Sequence, residues 1–414
     1  MLLWIFLIGS RPVSIWLGGG FHAETPADYL EGSPLDRNVF LVLIITGVIV
    51  LLRRRVNWNS LIVSNWLFFV FFIYCGISCI WSDYPFVSFK RWIKEIGNIV
   101  MLLIILTERD PLQATKAVFL RYANCAIPLS LLFVKYFPEL GRYYNRWTWE
   151  YTYGGITTNK NELGCIAFVC GLFLVWDLIE MLTASGKKTD KVDLIGHTLL
   201  LLMVFWLIHI ADSATALISL ILGSAFFLFM QLPFAKKQVR YLGSYSLVIV
   251  CLILLLYFIP SIDEAFLKLM GRDMTFTGRT NVWEDLLREP INPLIGTGYQ
   301  SFWLGTVTQR MWDSYSFHPI QAHNGYIETY LNLGLIGACL LFALIISTGI
   351  KLKEQVLLGS SFGILRLSFL VLAVLYNWTE AMFSGLNSLW ALMLIAVLNY
   401  SHSHVPENIT GIVK

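Results

Sequence analysis

The stretch from Asp193 to Leu232 reads DLIGHTLLLLMVFWLIHIADSATALISLILGSAFFLFMQL. It is two apolar runs, near 193–211 and 213–232, with only Ala211-Asp212-Ser213 at their junction. A bilayer core needs about 20 mostly apolar residues per helix, tolerably about 17–25. Lipid offers no water to an open peptide group, so such a run is read as a helix. Two spans joined by so short a turn form a tight helical hairpin. Runs of the same kind lie near 2–18, 38–52, 60–80, 91–107, 113–135, 162–183, 241–260, 325–350, 360–378 and 384–400. The first is interrupted at Ser10-Arg11-Pro12, and the second is short. The expected fold class is all-α, a polytopic membrane protein with about twelve transmembrane helices.

Composition points the same way. Of 414 residues, 57% are hydrophobic and 14% charged, with a mean hydropathy of +0.65. Soluble domains sit near about 45–50% apolar and about a quarter charged. The net charge is +3, and the basic residues form scattered short clusters, so no nucleic-acid partner is expected. Cys75, Cys79, Cys125, Cys165, Cys170, Cys251 and Cys339 all fall inside apolar runs. They read as small, buried and inert, with neither a disulfide framework nor metal-ligand spacing. Met1 to Leu17 lacks a basic leading region, so no cleavable signal peptide is expected there.

Lysine and arginine in short loops set orientation. Arg53-Arg54-Arg55 follows the second span, Lys187-Lys188 with Lys191 the sixth, Lys236-Lys237 with Arg240 the eighth, and Lys351 with Lys353 the tenth. Threading twelve spans puts all four on one side, which is then cytoplasmic. Residues 1–260 hold the first nine spans and a shorter outer loop near 136–162. Residues 261–324 form a large external loop, 325–400 the last three spans, and 401–414 a cytoplasmic tail. Loops beyond about 12–15 residues are usually functional or disordered. The large loop carries Trp283, Tyr299, Phe302, Trp303, Trp312, Tyr315 and Phe317, which argues for a folded cap. Within it, Thr280 to Arg288 reads as an amphipathic helix with Trp283, Leu286 and Leu287 on one face.

Three groups at the outer mouth could carry chemistry. Arg279 lies in Thr277-Gly278-Arg279-Thr280, and Lys160 in the run from Gly154 to Gly164. A guanidinium or ammonium at a membrane mouth, beside glycine, suits a phosphate or pyrophosphate headgroup. His323 closes the large loop in Gln321-Ala322-His323-Asn324-Gly325-Tyr326. A neutral imidazole there can take a proton from a hydroxyl. The plainer alternative for a lone histidine is a structural role. For Arg142, Arg146, Lys268, Arg272, Arg288 and Arg310 it is solvated charge, and for Tyr143, Tyr144, Trp147, Trp149, Tyr151 and Tyr153 an interfacial belt. Snorkelling would account for Asp177, Glu180 and Arg366. His209, Asp212, Asp177 and Glu180 could instead form a proton path, making the chain a multi-span solute or polysaccharide transporter. The sequence shows no internal repeat of the kind common in transporters, and its polar residues gather at the outer mouth.

Taken in order, several elements resemble one family. Thr277-Gly278-Arg279-Thr280 is followed by Trp283, then by Pro293-Leu294-Ile295-Gly296-Thr297-Gly298-Tyr299. Ala322-His323-Asn324-Gly325-Tyr326 then leads into Leu333-Gly334-Leu335-Ile336-Gly337. This order resembles the O-antigen ligase / O-antigen polymerase superfamily, over roughly residues 150–400. Trp81-Ser82-Asp83 and Asn159-Lys160-Asn161-Glu162-Leu163-Gly164 resemble its exopolysaccharide-polymerase branch, and Asn377-Trp378-Thr379-Glu380 is also similar to the family. The resemblance implies a metal-independent, inverting glycosyltransferase without a cofactor, in the bacterial inner membrane with its site facing the periplasm. The donor would be an undecaprenyl-pyrophosphate-linked glycan and the acceptor a glycan or lipid, for exopolysaccharide or O-antigen synthesis. By the same resemblance His323 is the base and Arg279 the clamp on the leaving group. Lys160, Asn161, Arg272, Asn324 and Tyr326 are the expected substrate-binding residues. One departure stands out. Many members carry an arginine at the start of the eighth span, where Asp212-Ser213-Ala214-Thr215-Ala216 has none, and Lys160 is a candidate substitute. Polymerase and ligase remain alternatives.

Overall fold

Short polar residues start several of the long helices, because the first amides of a helix have no partner within it. The computed structural model describes residues 1–18, 33–54, 56–144, 151–183, 191–241, 243–244, 279–315 and 318–400. The first half holds α1 (Leu2–Ile8), α2 (Val13–Trp16), α3 (Pro34–Arg53), α4 (Trp58–Ser64), α5 (Trp66–Ile77), α6 (Pro85–Leu106), α7 (Pro111–Tyr136) and α8 (Pro138–Gly141). An antiparallel hairpin follows, β1 (Arg142–Tyr144) on β2 (Tyr151–Tyr153), with Tyr143 opposite Thr152. Then come α9 (Lys160–Thr183), α10 (Lys191–Ile210), α11 (Ala214–Gln231) and α12 (Pro233–Gln238). The C-terminal part holds α13 (Arg279–Arg288), α14 (Thr306–Ser314), α15 (Gly325–Leu357), α16 (Ser361–Tyr376) and α17 (Ser388–Val397). Asp110 accepts from the Gln113 amide ahead of α7, Asn159 from Glu162 ahead of α9, and Asn387 from Trp390 ahead of α17.

Among the described residues, six helices are long and apolar enough to cross a membrane: α3, α7, α9, α10, α11 and α15. The run at 60–80 is a bent pair, turned by 86° near Asn65, and makes a seventh if it counts as one span. The chain is thus an all-α, multi-pass membrane protein, with six or seven long spans among the described residues. The first run divides at Arg11-Pro12 into α1 and α2, and the last two give shorter helices, α16 and α17. The run at 241–260 lies almost wholly outside the described residues, as do the segment holding Arg272 and the tail.

Helix α9 is the hub, flanked by α7, α10 and α11, with Leu163 to Leu174 buried. Phe119 stacks on Phe173 at 5.0 Å and Phe168 on Tyr376 at 5.5 Å. Four cysteines are buried as expected, whereas Cys125 and Cys339 are exposed on helix surfaces. The buried charges depart from the snorkelling expectation. Arg366 is buried and donates to the carbonyls of Ile395 (2.9 Å), Ala396 (2.8 Å) and Leu398 (2.7 Å), so it caps the C-terminus of α17. Asp177 is buried between Lys116 and His197, whose Nε2 lies 3.0 Å away, and the Ser361 hydroxyl donates to Glu180. In each case internal pairing replaces water, because a lone charge within the bundle is costly.

These contacts also separate the two ends of the bundle. Arg54 donates to the Ile104 carbonyl at 2.6 Å, and Lys351 to the Ser64 carbonyl at 2.5 Å. Arg366 reaches Asn399 at 3.2 Å, at the same end. Lys160, His323 and Glu380 lie at the opposite end, where α9, α15 and α17 begin and α16 finishes.

The long helix α15 is broken on purpose. Its 33 residues would span about 50 Å if straight, and at Gly334 the backbone turns out of the helix (φ 66°, ψ −167°). Loop residues 293–298 fill the break. Leu335 and Ile336 donate to the carbonyls of Pro293 (2.9 Å) and Leu294 (3.1 Å). Thr297 and Gly298 donate in turn to those of Leu331 (3.1 Å) and Asn332 (2.8 Å). The loop restores the ladder bonds that the break removes, which is how irregular backbone survives at such depth. Trp81 donates to the Ile295 carbonyl at 3.2 Å, Ser82 to Ser301 at 2.7 Å, and Tyr74 to the Leu333 carbonyl at 2.8 Å. Trp81-Ser82-Asp83 is therefore the anchor of this loop on the N-terminal half.

Candidate active site

His323 sits one residue before the cap of α15, in left-handed backbone (φ 50°). Its conformation is fixed from both sides. On one side Asn324, buried, accepts from the amides of Tyr326 (3.0 Å) and Ile327 (3.1 Å) and donates to the Trp378 carbonyl at 3.2 Å. Gly325 donates to the Asn377 carbonyl at 2.8 Å, so the start of α15 is stitched to the end of α16. On the other side, Glu328 accepts from the Ala322 amide and the Trp303 indole, each at 2.9 Å.

That stitching sets the imidazole against a carboxylate. Nδ1 of His323 lies 3.1 Å from Oε2 of Glu380, which is buried, and 3.4 Å from the Gln321 amide. The histidine side chain is 24% exposed and that of Glu380 4%, so the ring keeps one edge open while its partner is shielded. Glu380 belongs to the turn after α16, tied down where Thr379 meets Thr215 at 3.1 Å.

The cap above is organised by aromatic donors. The Trp283 indole on α13 donates at 2.7 Å to the carbonyl of Ala322, the residue before His323. Arg279 opens α13 one turn before Trp283, and its side chain lies outside the described residues. The Tyr315 phenol donates to Asp285 at 2.6 Å, and burial beside that carboxylate pushes it up to about 12. It remains a donor across the neutral range and ties the end of α14 to α13.

The other expected site residues divide by what their polar atoms do. Lys160 Nζ lies 3.5 Å from Asp212, with side-chain exposures of 41% and 90%. An exposed pair of this kind is weak, and its Asp212 stands two residues before Ala214. Asn161 lines a cavity of about 410 Å³ together with Glu162, Gln321 and Glu380. Tyr326 is committed to packing, since its hydroxyl donates to the Val374 carbonyl at 2.9 Å and its ring stacks on Phe342 at 5.6 Å. Arg272 lies outside the described residues. Among the described residues, no group of three or more His, Cys, Asp or Glu side chains is placed to hold a metal ion.

Residues 198–342, which include most of α10, all of α11, the cap and His323, match the family described as O-antigen ligase. That part of the chain is similar to the O-antigen ligase family. The chain is also similar to the exopolysaccharide production protein ExoQ of Rhizobium meliloti (strain 1021), with 26% identity over 296 residues. That match covers 68% of this chain and 63% of the relative, so the chain spans less than two thirds of that relative's length. The ligase-family match stops at residue 342 and so leaves out Glu380, which the fold alone brings to the histidine. In the sequence Asn377-Trp378-Thr379-Glu380 nothing marks a role for the carboxylate. Its signal was an acidic residue in the last turn between two apolar runs.

Proposed function

We propose that this protein is an inner-membrane glycosyltransferase that transfers or polymerises an undecaprenyl-pyrophosphate-linked oligosaccharide at the periplasmic face, for surface polysaccharide. The observation that carries this reading is the His323–Glu380 pair beside a cavity large enough for an organic ligand. Glu380 holds Nδ1 and leaves Nε2 to take the proton of an acceptor hydroxyl, as a carboxylate orients a catalytic imidazole elsewhere. The acceptor oxygen bonds to C1 of the donor sugar, opposite the diphosphate, and the bond from C1 to the phosphate oxygen breaks. The configuration inverts, the proton stays on an imidazolium stabilised by Glu380, and the diphosphate leaves as an anion. Such a leaving group asks for cations more than for a metal. Arg279, with Arg272 and Lys160, fills that role, and Asn161 contacts the substrate. Asn324 and Tyr326 serve mainly to hold the histidine loop.

The basic loops at the Arg54–Lys351 end favour that end as cytoplasmic, which turns His323 outward. The geometry weighs against a proton path. Asp177 lies about 25 Å along α9 from the Lys160–Asp212 end at helical rise, with buried apolar side chains between.

Reconstitution of the purified protein in proteoliposomes with a lipid-linked oligosaccharide tests the reading. A ladder of products on a gel supports polymerisation, and a single transfer to a different acceptor supports ligation. Arg279→Ala is expected to lower turnover by about 10²–10³-fold, the usual cost of removing an aligned charge donor, with normal membrane insertion. Wild-type turnover in that variant would remove Arg279 from the mechanism.

A further inference from the structure

We infer that the 410 Å³ cavity is the seat of the acceptor glycan and not of the donor's diphosphate, an assignment that rests on the glycosyltransferase reading above. Its volume falls within the range of about 300–1,000 Å³ typical of small-molecule pockets. The cavity is walled by α1, the loop before α9 and the turn after α16. Among the described residues its charged lining is Asp36, Glu162, Glu380 and the single cation Lys94. Three carboxylates against one ammonium repel a diphosphate, because like charges placed together in a partly desolvated site are strongly unfavourable. The same oxygens are acceptors for a ligand whose surface is hydroxyl groups. Ser10, Asn161 and Asn387 add neutral polar groups to the wall, and Leu7, Ile8 and Phe40 supply apolar surface for the faces of sugar rings.

The carboxylates are held in place. Glu162 accepts from the Thr158 hydroxyl at 2.7 Å and its amide at 3.2 Å. Asp36 accepts from the Ser14 amide at 2.9 Å and its hydroxyl at 2.7 Å. The cavity meets the catalytic pair through Gln321 and Glu380, which line it and both approach Nδ1 of His323. A glycan end seated there finishes beside Glu380, one hydrogen bond from the imidazole. Lys160, one of the cations assigned to the leaving group, is absent from the described lining. Charge thus sorts the two substrates, with acceptor hydroxyls on the acidic side and the diphosphate on the basic side.

The test uses the full chain in proteoliposomes, a lipid-linked oligosaccharide as donor and a lipid-free oligosaccharide of the same repeat as acceptor. Ser10→Phe fills the cavity, and Asn161→Leu removes one amide at nearly constant volume. Each is expected to raise KM for the lipid-free acceptor about tenfold or more, while KM for the donor moves less than about twofold. Equal rises in both constants, or a rise for the donor alone, in variants with an unchanged unfolding temperature would overturn the assignment. Equilibrium binding of the lipid-free oligosaccharide separates this inference from the reaction itself. Binding to wild type that is lost in Ser10→Phe, without donor turnover, keeps the cavity assignment and removes the proposed reaction. No binding to wild type removes the cavity assignment.

Discussion

Replacing His323 by asparagine lowers turnover of the lipid-linked substrate by about 10²–10⁴-fold, the range for loss of a positioned general base. The amount of protein in the membrane does not change. Asparagine is the informative choice because the backbone at His323 is left-handed (φ 50°). That conformation strains most side chains but is tolerated by asparagine, so a loss of turnover reports the imidazole and not the loop. Glu380 acts through the ring, to which its Oε2 is held at 3.1 Å. Glu380→Gln then gives a smaller loss, and the double variant is no slower than His323→Asn alone, since residues acting as one unit are not additive. Initial rates from the four proteins, at matched levels in proteoliposomes, decide the matter. Multiplying losses would mean that the carboxylate works independently of the histidine.

Gly334→Ala is expected to be the most damaging single methyl group in the described chain. A Cβ at that position would lie 2.3 Å from the carbonyl carbon and oxygen of Leu294, both backbone atoms that cannot swing aside. The backbone there (φ 66°, ψ −167°) is also one that only glycine adopts readily. Strain and overpacking together cost on the order of a few kcal/mol. The loop 293–298 must leave the break, and the amides of Leu335 and Ile336 lose their partners. The measurable result is a lower unfolding temperature in detergent and a loss of turnover. Gly349→Ala serves as the control. Its Cβ would meet only Leu370 at 3.9 Å, and alanine favours a helix over glycine by about 1 kcal/mol. Equal behaviour of the two variants would show that the filled break does not hold the cap.

Both predictions turn on residues whose types were visible in the sequence but whose partners were not. His323 and Gly334 each lie inside a motif that could be quoted from the chain, and the family resemblance gave His323 its expected task. The spacing of Pro293 to Tyr299 before Leu333 to Gly337 gave no sign that one segment completes the other's hydrogen bonds. Glu380, 57 residues from His323, was legible only as an acid in an outer turn. Asp177 and Arg366 looked like charges reaching for water, and both are buried against partners from other helices.

The sequence alone settled the solvent. Apolar runs as long as a bilayer is thick must fold as helices, because hydrocarbon leaves a peptide group no partner except another peptide group. The caps of α3, α7 and α17 are local too, each a bond between neighbours in the chain. Tertiary structure alone decided which runs stay straight, which break, and which carboxylate faces the imidazole. A broken helix persists only where a distant segment supplies the missing donors and acceptors, and a buried acid persists only where the fold brings it a partner. Those pairings depend on how the helices pack, and no local pattern in the chain encodes them.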